Sequence, residues 1–238
     1  QQPYLLTEEQ QWKLGKAIST LPLDQLSSPE SIYDFTVDTL SYSLDRLEKD
    51  TSRYGAEKAL AKPNQAVCME YTDLFIALAR EKGIPTREIQ GYGYSESQKI
   101  RPQSLVLDEL HAWPEYYDVQ QEIWLQVDPT WEDTSGIDYF NGFDVNHIAL
   151  ALHGKDPLEP LPAGFYKTAR TKDVNITVSS LRPSASVHLA VDHSLNDSII
   201  VGKTYDSTVT VTNIGKAFVH DVNIIPESHS ISVTSGPI

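Results

Sequence analysis

The spacing of apolar residues changes once, at Gly83-Ile84-Pro85, and that change limits the fold more than any other feature of the chain. Before it the spacing is helical. Tyr33, Val37, Leu40, Leu44 and Leu47 recur at intervals of four and three. They follow Ser28-Pro29-Glu30, which supplies an N-cap, a proline at the first helical position and an acid in the first turn. Thr7-Glu8-Glu9-Gln10 predicts a capping box for a helix reaching Ser19, and a shorter helix over 54–61 stops at Lys62-Pro63. Tyr71, Leu74, Phe75, Leu78 and Ala79 form one further helical face, closed by Gly83 as a C-cap. Cys68 lies one turn ahead of that face, with Asn64 expected as the cap. After Gly83 the segments 86–94, 110–119, 122–127 and 145–152 are strand-like. Helices first and strands later predict an α+β domain rather than alternating α/β.

A second change falls near residue 166. From 173 onward Val, Ile, Thr and Ser dominate, and short strands are expected near 174–179, 187–192, 198–201, 205–212, 218–225 and 230–234. Asn213-Ile214-Gly215-Lys216 reads as a turn between two of them. Residues 1–166 hold 13 Lys+Arg against 27 Asp+Glu, whereas 167–238 hold 6 of each. All four Trp, the single Met and the single Cys lie in the first part. The expected organisation is therefore an α+β domain over 1–166 and a small β-sandwich over 167–238. The second part is short against the ~100 residues of an immunoglobulin-type domain, so the sandwich is expected to be reduced or cut short.

Composition removes several classes of function. A net charge of −14 argues against nucleic acid and anionic membrane surfaces as partners. One cysteine allows no internal disulfide, Cys-rich zinc site or iron–sulfur cluster. The longest strictly apolar run is 74–79, far below the ~20 residues a membrane helix needs. The chain begins at Gln1 and shows no signal peptide, so it is read as a mature or trimmed fragment, with any leader or membrane anchor outside it.

Cys68, His111 and Asp128 are the candidate chemistry. A nucleophilic thiol needs a base, and the base needs a group to orient it. If 110–119 and 122–127 form a hairpin about Gln120-Gln121, paired positions sum to 241; Trp113 then faces Asp128 and His111 faces Thr130. Alternation of side chains puts His111 and Asp128 on one face as diagonal neighbours, within about 7–8 Å. A helix N-terminus would favour the thiolate of Cys68 and depress its pKa. An oxyanion would need a second donor beside the backbone N–H of Cys68, for which Gln65 and Asn64 are the sequence candidates. His147 is read as a structural histidine in preference to a site residue. Trp113 and Trp131 are read as packing. Asp128-Pro129 has an alternative reading as a plain strand-ending turn.

At these residues the chain resembles the transglutaminase-like superfamily, a papain-type Cys–His–Asp group. The resemblance is carried by Val67-Cys68-Met69-Glu70-Tyr71 and the helix behind it, by Gly83-Ile84-Pro85-Thr86-Arg87 and Gly91-Tyr92. It continues through His111-Ala112-Trp113-Pro114-Glu115-Tyr116-Tyr117 and Trp124-Leu125-Gln126-Val127-Asp128-Pro129-Thr130-Trp131. It implies a papain-like core over about 31–131, with Cys68 as nucleophile, His111 as base and Asp128 as orienting acid. It further implies an amide substrate on a protein or peptide and no metal or organic cofactor. Val67 departs from the small residue, often Gly, common before the nucleophile. Val209-Thr210-Val211-Thr212-Asn213-Ile214-Gly215 resembles immunoglobulin-like modules of surface proteins, which implies an extracellular or cell-surface setting. The competing expectation is a non-catalytic adhesion or scaffold module that keeps the fold.

Overall fold

The structure is a computed structural model and describes residues 2–5, 10–49, 52–95, 97, 111–161, 187–195, 198 and 200–215. The chain divides into two compact units, Gln1–Ile176 and Thr177–Ile238. The boundary expected at 166/167 lies outside the described residues.

The first unit pairs a helical layer with an antiparallel sheet. Helix α1 spans Pro29–Thr39, and Ser28 caps it by accepting from the Ser31 N–H at 3.1 Å. The periodic face that the sequence continues to Leu47 is interrupted here. Leu40 is extended, Tyr42 bridges to Ala66, and the helix resumes as α2, Leu44–Lys49. Helix α3 spans Ala56–Ala61, and α4 spans Cys68–Glu81. Every residue from Glu70 to Arg80 in α4 is buried, because the helix is packed by α1 and α3 on one side and by the sheet on the other. Gly83, at φ 77°, closes it as expected: the Ile84 N–H reaches Ala79 O at 2.8 Å and the Gly83 N–H reaches Arg80 O at 2.9 Å.

The sheet contains β1 (Thr86–Gly93), β2 (His111–Asp118), β3 (Ile123–Gln126) and β4 (His147–His153), in the order β3-β2-β1-β4. The β2–β3 hairpin pairs Glu115 with Gln126 and Tyr117 with Trp124, the register that the sequence predicts. A fifth helix, α5 (Pro129–Ser135), follows β3 at once. Half-buried Arg53 donates to Asp73 of α4 and to Glu88 of β1, tying helix to sheet.

Two expectations at the N-terminal side fail. In place of one helix over 7–19 there are short 3-10 turns, Gln10–Trp12 and Gly15–Thr20; Thr7, Glu8 and Glu9 lie outside the described residues. Gly15 sits at φ 52°, which breaks a continuous helix, and the segment folds so as to bury Trp12 and Leu14. Asn64 does not cap α4. It belongs to the 3-10 turn Pro63–Gln65, and Val67 is the N-cap.

In the second unit the described residues form one antiparallel pair, β5 (Leu189–His193) and β6 (Val209–Asn213). Val201 and Gly202 form a turn where the sequence expects the end of a strand. The strands expected near 174–179, 218–225 and 230–234 lie outside the described residues.

Candidate active site

Cys68 is the first residue of α4, and that end of the helix is firmly held. Val67 has no side-chain oxygen to cap with, so Glu70 reaches back, accepting from the Val67 N–H at 3.0 Å and the Tyr54 N–H at 2.8 Å. Arg46 neutralises the buried Glu70 and also donates to Gln65 O at 2.9 Å. The helix start is thereby fixed against the segments on either side of it.

His111 opens β2. Its Nε2 lies 2.8 Å from Asp128 Oδ2, and both side chains are 0% exposed. The hairpin brings Asp128 here, though not as a ladder residue. Pro129 cannot donate to a ladder but suits the first position of a helix. Asp128 therefore leaves the strand and caps α5, its Oδ1 accepting from the N–H groups of Thr130 at 3.0 Å and Trp131 at 3.1 Å. Oδ2 is left for the imidazole. Burial opposes the charge on Asp128, but the imidazoles of His111 and His147 outweigh it and hold the carboxyl below the usual carboxylate range. His111 Nδ1 is buried and has no hydrogen-bond partner among the described residues.

Aromatic rings fix the imidazole plane. Trp131 stacks on His111 at 4.7 Å and 14°, and Trp113 lies at 5.6 Å. Gly93 makes room for this stack: a Cβ built there would overlap the Trp131 indole.

The sulfur of Cys68 is faced by the backbone N–H groups of Ala112, next to His111, and of Met69. These contacts favour the thiolate, yet burial outweighs them and pushes the thiol up to about 12, with the charges of Glu70 and Asp128 adding to the rise. This reverses the depressed thiol expected from the helix N-terminus alone. Desolvating a small anion costs more than the helix end returns.

The sequence candidates for the oxyanion donor are not brought to the sulfur by any contact. Asn64 and Gln65 are both exposed, and Gln65 Oε1 faces the Tyr54 hydroxyl at 3.5 Å. The sequence missed Tyr42. Its backbone pairs with Ala66, two residues before Cys68, and its hydroxyl is buried without a hydrogen-bond partner. Burial pushes that hydroxyl above its ordinary pKa, and the charge of Cys68 is the next largest cause. Tyr42 therefore stays protonated and is a donor.

His147 was also underrated by the sequence. Its Nε2 lies 3.1 Å from Asp128 Oδ2 and its Nδ1 lies 3.0 Å from Asp144 Oδ1. With His111 and Asp128 it gathers two imidazoles and a carboxylate whose N and O atoms lie within 4.8 Å of one another, a set to be weighed against metal chemistry. The 2.8 and 3.1 Å spacings are those of hydrogen bonds, and protons satisfy the same atoms.

A buried helix with a thiol at its first residue, set against an antiparallel sheet that presents a carboxylate-held imidazole, is consistent with a transglutaminase-like core. Comparison with known proteins agrees. Residues 13–129 match the family model of the transglutaminase-like superfamily. Over 117 residues the chain is 32% identical to a protein of Pseudomonas aeruginosa named protein-glutamine gamma-glutamyltransferase. The match takes in 47% of this chain and 17% of that protein, so the chain spans a small part of its relative's length. Among solved structures, a candidate cysteine protease from Cytophaga hutchinsonii is similar at TM-score 0.46 and 21% identity, over 65% of this chain and 46% of that one. The periplasmic domain of TgpA from Pseudomonas aeruginosa is similar at TM-score 0.38 and 22% identity, over 55% and 46%. No helix among the described residues is long and apolar enough to cross a membrane.

Proposed function

We propose that the chain is a transglutaminase-like cysteine acyltransferase or peptidase. Its substrate is an amide on a protein, either a glutamine side chain or a peptide bond. The observation that carries this reading is the buried His111–Asp128 pair with His111 Nδ1 unpartnered, beside the helix end that bears Cys68. In the first half-reaction Cys68 Sγ bonds to the carbonyl carbon while its proton passes to His111 Nδ1. Asp128 stabilises the resulting imidazolium through Nε2–H. The carbonyl oxygen takes the negative charge, and the Tyr42 hydroxyl with the backbone N–H groups at the start of α4 stabilises it. As the tetrahedral adduct collapses, the C–N bond breaks and the departing amine takes the proton from His111, leaving a thioester on Cys68. An amine or water then attacks the thioester carbonyl, giving its proton to His111; the C–S bond breaks, the product leaves, and His111 returns the proton to the sulfur, restoring the thiol. Because burial raises the thiol, the thiolate arises with its proton held on His111 and not as a free anion. The chemistry needs no cofactor. We also propose the domain arrangement read from the sequence, with a catalytic domain followed by an immunoglobulin-like module, and a setting outside the cytoplasm.

The raised thiol favours a second reading, a non-catalytic module that retains the fold. The test offers dimethylated casein as glutamine donor with a fluorescent primary amine, and in parallel follows ammonia or peptide release in water. Turnover by the parent chain and its loss in Cys68→Ala support the enzyme. Absence of turnover in both proteins supports the scaffold, and equal turnover by both rules out Cys68 as the nucleophile.

A further inference from the structure

We infer that His147 is a positioning residue for Asp128, with Asp144 holding it from behind. The inference rests on the acyl-transfer reading of Cys68, His111 and Asp128. Asp128 Oδ2 lies against two imidazoles, His111 Nε2 at 2.8 Å and His147 Nε2 at 3.1 Å. The strand geometry provides for both. In β1, Gly91 pairs with His111 of β2 on one side and Gly93 pairs with His147 of β4 on the other. The two histidines thus approach one carboxylate from either side of a strand that carries no side chain at those two positions.

His147 is not merely packed. Its ring is enclosed by Phe143 at 4.3 Å, Trp131 at 4.5 Å and Trp113 at 4.9 Å, and its side chain is 0% exposed. Both of its nitrogens are nevertheless used, Nδ1 lying 3.0 Å from Asp144 Oδ1. Asp144 is itself fixed: it accepts from the Asn146 N–H and Nδ2 at 2.9 Å each, and from the Tyr139 hydroxyl at 3.3 Å. An imidazole between two carboxylates donates to both when each nitrogen carries a proton. Asp128 then has Oδ1 held by the cap of α5 and Oδ2 held by His147, whatever His111 is doing. That matters because His111 gains and loses a proton in each half-reaction, so its own bond to Asp128 changes strength. His147 is the constant donor that keeps the carboxylate aligned through both states, as outer-shell partners do in metal sites.

The test uses the full chain with His147→Phe, which keeps a ring, and His147→Gln, which keeps a donor. One readout is the rate of Cys68 alkylation by iodoacetamide against pH. The other is the downfield proton resonance of the His111–Asp128 hydrogen bond, which involves no catalysis. His147→Phe should slow alkylation about 10–100-fold at neutral pH, the usual cost of losing an outer-shell partner, and abolish the resonance. His147→Gln should largely restore both. A folded His147→Phe that matches the parent in rate and resonance overturns the inference. If His147→Phe does not fold, Asp144→Asn should slow alkylation in the same direction, and an unchanged rate there overturns it. Alkylation indifferent to His111→Asn would defeat the acyl-transfer reading instead, while the resonance in His147→Phe would still decide the role of His147.

Discussion

Replacing His111 by Asn removes the base proposed for Cys68 while keeping a polar side chain of similar reach. With burial pushing the thiol up to about 12, the thiolate fraction left at pH 7.5 is about 3 × 10⁻⁵, against about 10⁻¹ for an ordinary thiol of pKa ~8.5. The lost anion alone predicts roughly 3,000-fold slower alkylation. A more basic thiolate is the better nucleophile, with a Brønsted slope of about 0.4–0.5, which returns roughly 25–55-fold over the ~3.5-unit difference. The net expectation is that Cys68 in His111→Asn reacts roughly 50–100-fold more slowly at pH 7.5 than a free thiol of ordinary pKa. Its rate should climb about tenfold per pH unit to at least pH 10. In the parent the proton moves to His111, and alkylation near neutral pH should be at least about 100-fold faster than in the variant. Asp128 is held ionised below the usual carboxylate range, so no inflection above pH 5 should belong to it. The assay is stopped-flow alkylation followed by intact mass, with both proteins under the same steric access. A parent that alkylates with the same rate and pH profile as His111→Asn would refute the reasoning. So would a variant whose midpoint lies near 8.5.

The remaining expectations concern single residues and the chain's division. Turnover should fall in the order Cys68→Ala at least as severe as His111→Ala, then Asp128→Asn at roughly 10–10³-fold, with melting temperatures near the parent's; the Asp-to-Asn change in a serine triad costs about 10⁴, and an ion pair with Cys68 offsets part of that. Effects of combined substitutions should not add, because the residues act as a unit. Tyr42→Phe should lower kcat about 10²–10³-fold, the usual cost of one oxyanion donor, while leaving the alkylation profile of Cys68 little changed; equal loss of both would make Tyr42 a structural residue. Limited proteolysis should cut within 158–173 and release a folded catalytic part, and resistance throughout that stretch would count against two domains.

The β2–β3 hairpin was legible because a polar turn between two alternating segments fixes its register, and the 241 sum holds from Glu115–Gln126 to Asp118–Ile123. The prediction stops being literal at Asp128. Pro129 converts the end of the strand into the start of α5, so the expected pairing of Trp113 with Asp128 becomes an N-cap whose free oxygen turns to His111. The Asp-Pro pair that begins this helix is a recognisable start signal, which extending the hairpin pairing to Asp128 passes over. His147 left no comparable trace. Its contact with Asp128 depends on β4 pairing with β1 across more than fifty residues, and local periodicity carries no information about that. Tyr42 is hidden in the same way: the helical spacing runs through it, whereas the helix ends at Thr39 and the chain leaves to pair Tyr42 with Ala66. The raised thiol of Cys68 escapes the sequence for a third reason. Sequence reveals that a residue starts a helix, but the surroundings that raise the Cys68 thiol are set only when the chain packs.

The central claim is a covalent acyl intermediate on Cys68, and intact mass spectrometry tests it most directly. The chain is mixed with a glutamine-bearing peptide, quenched in acid within the first turnovers, and digested to locate the adduct. The account predicts a mass increase equal to the peptide less ammonia for an attacked carboxamide, or to the acyl fragment for an attacked peptide bond. The adduct should map to the peptide containing Cys68, persist longer when Asp128→Asn slows its resolution, and disappear on addition of a primary amine with transfer of the acyl group. Product formed by the parent at full rate, with no adduct on Cys68 at any quench time and with Cys68→Ala equally active, would contradict it.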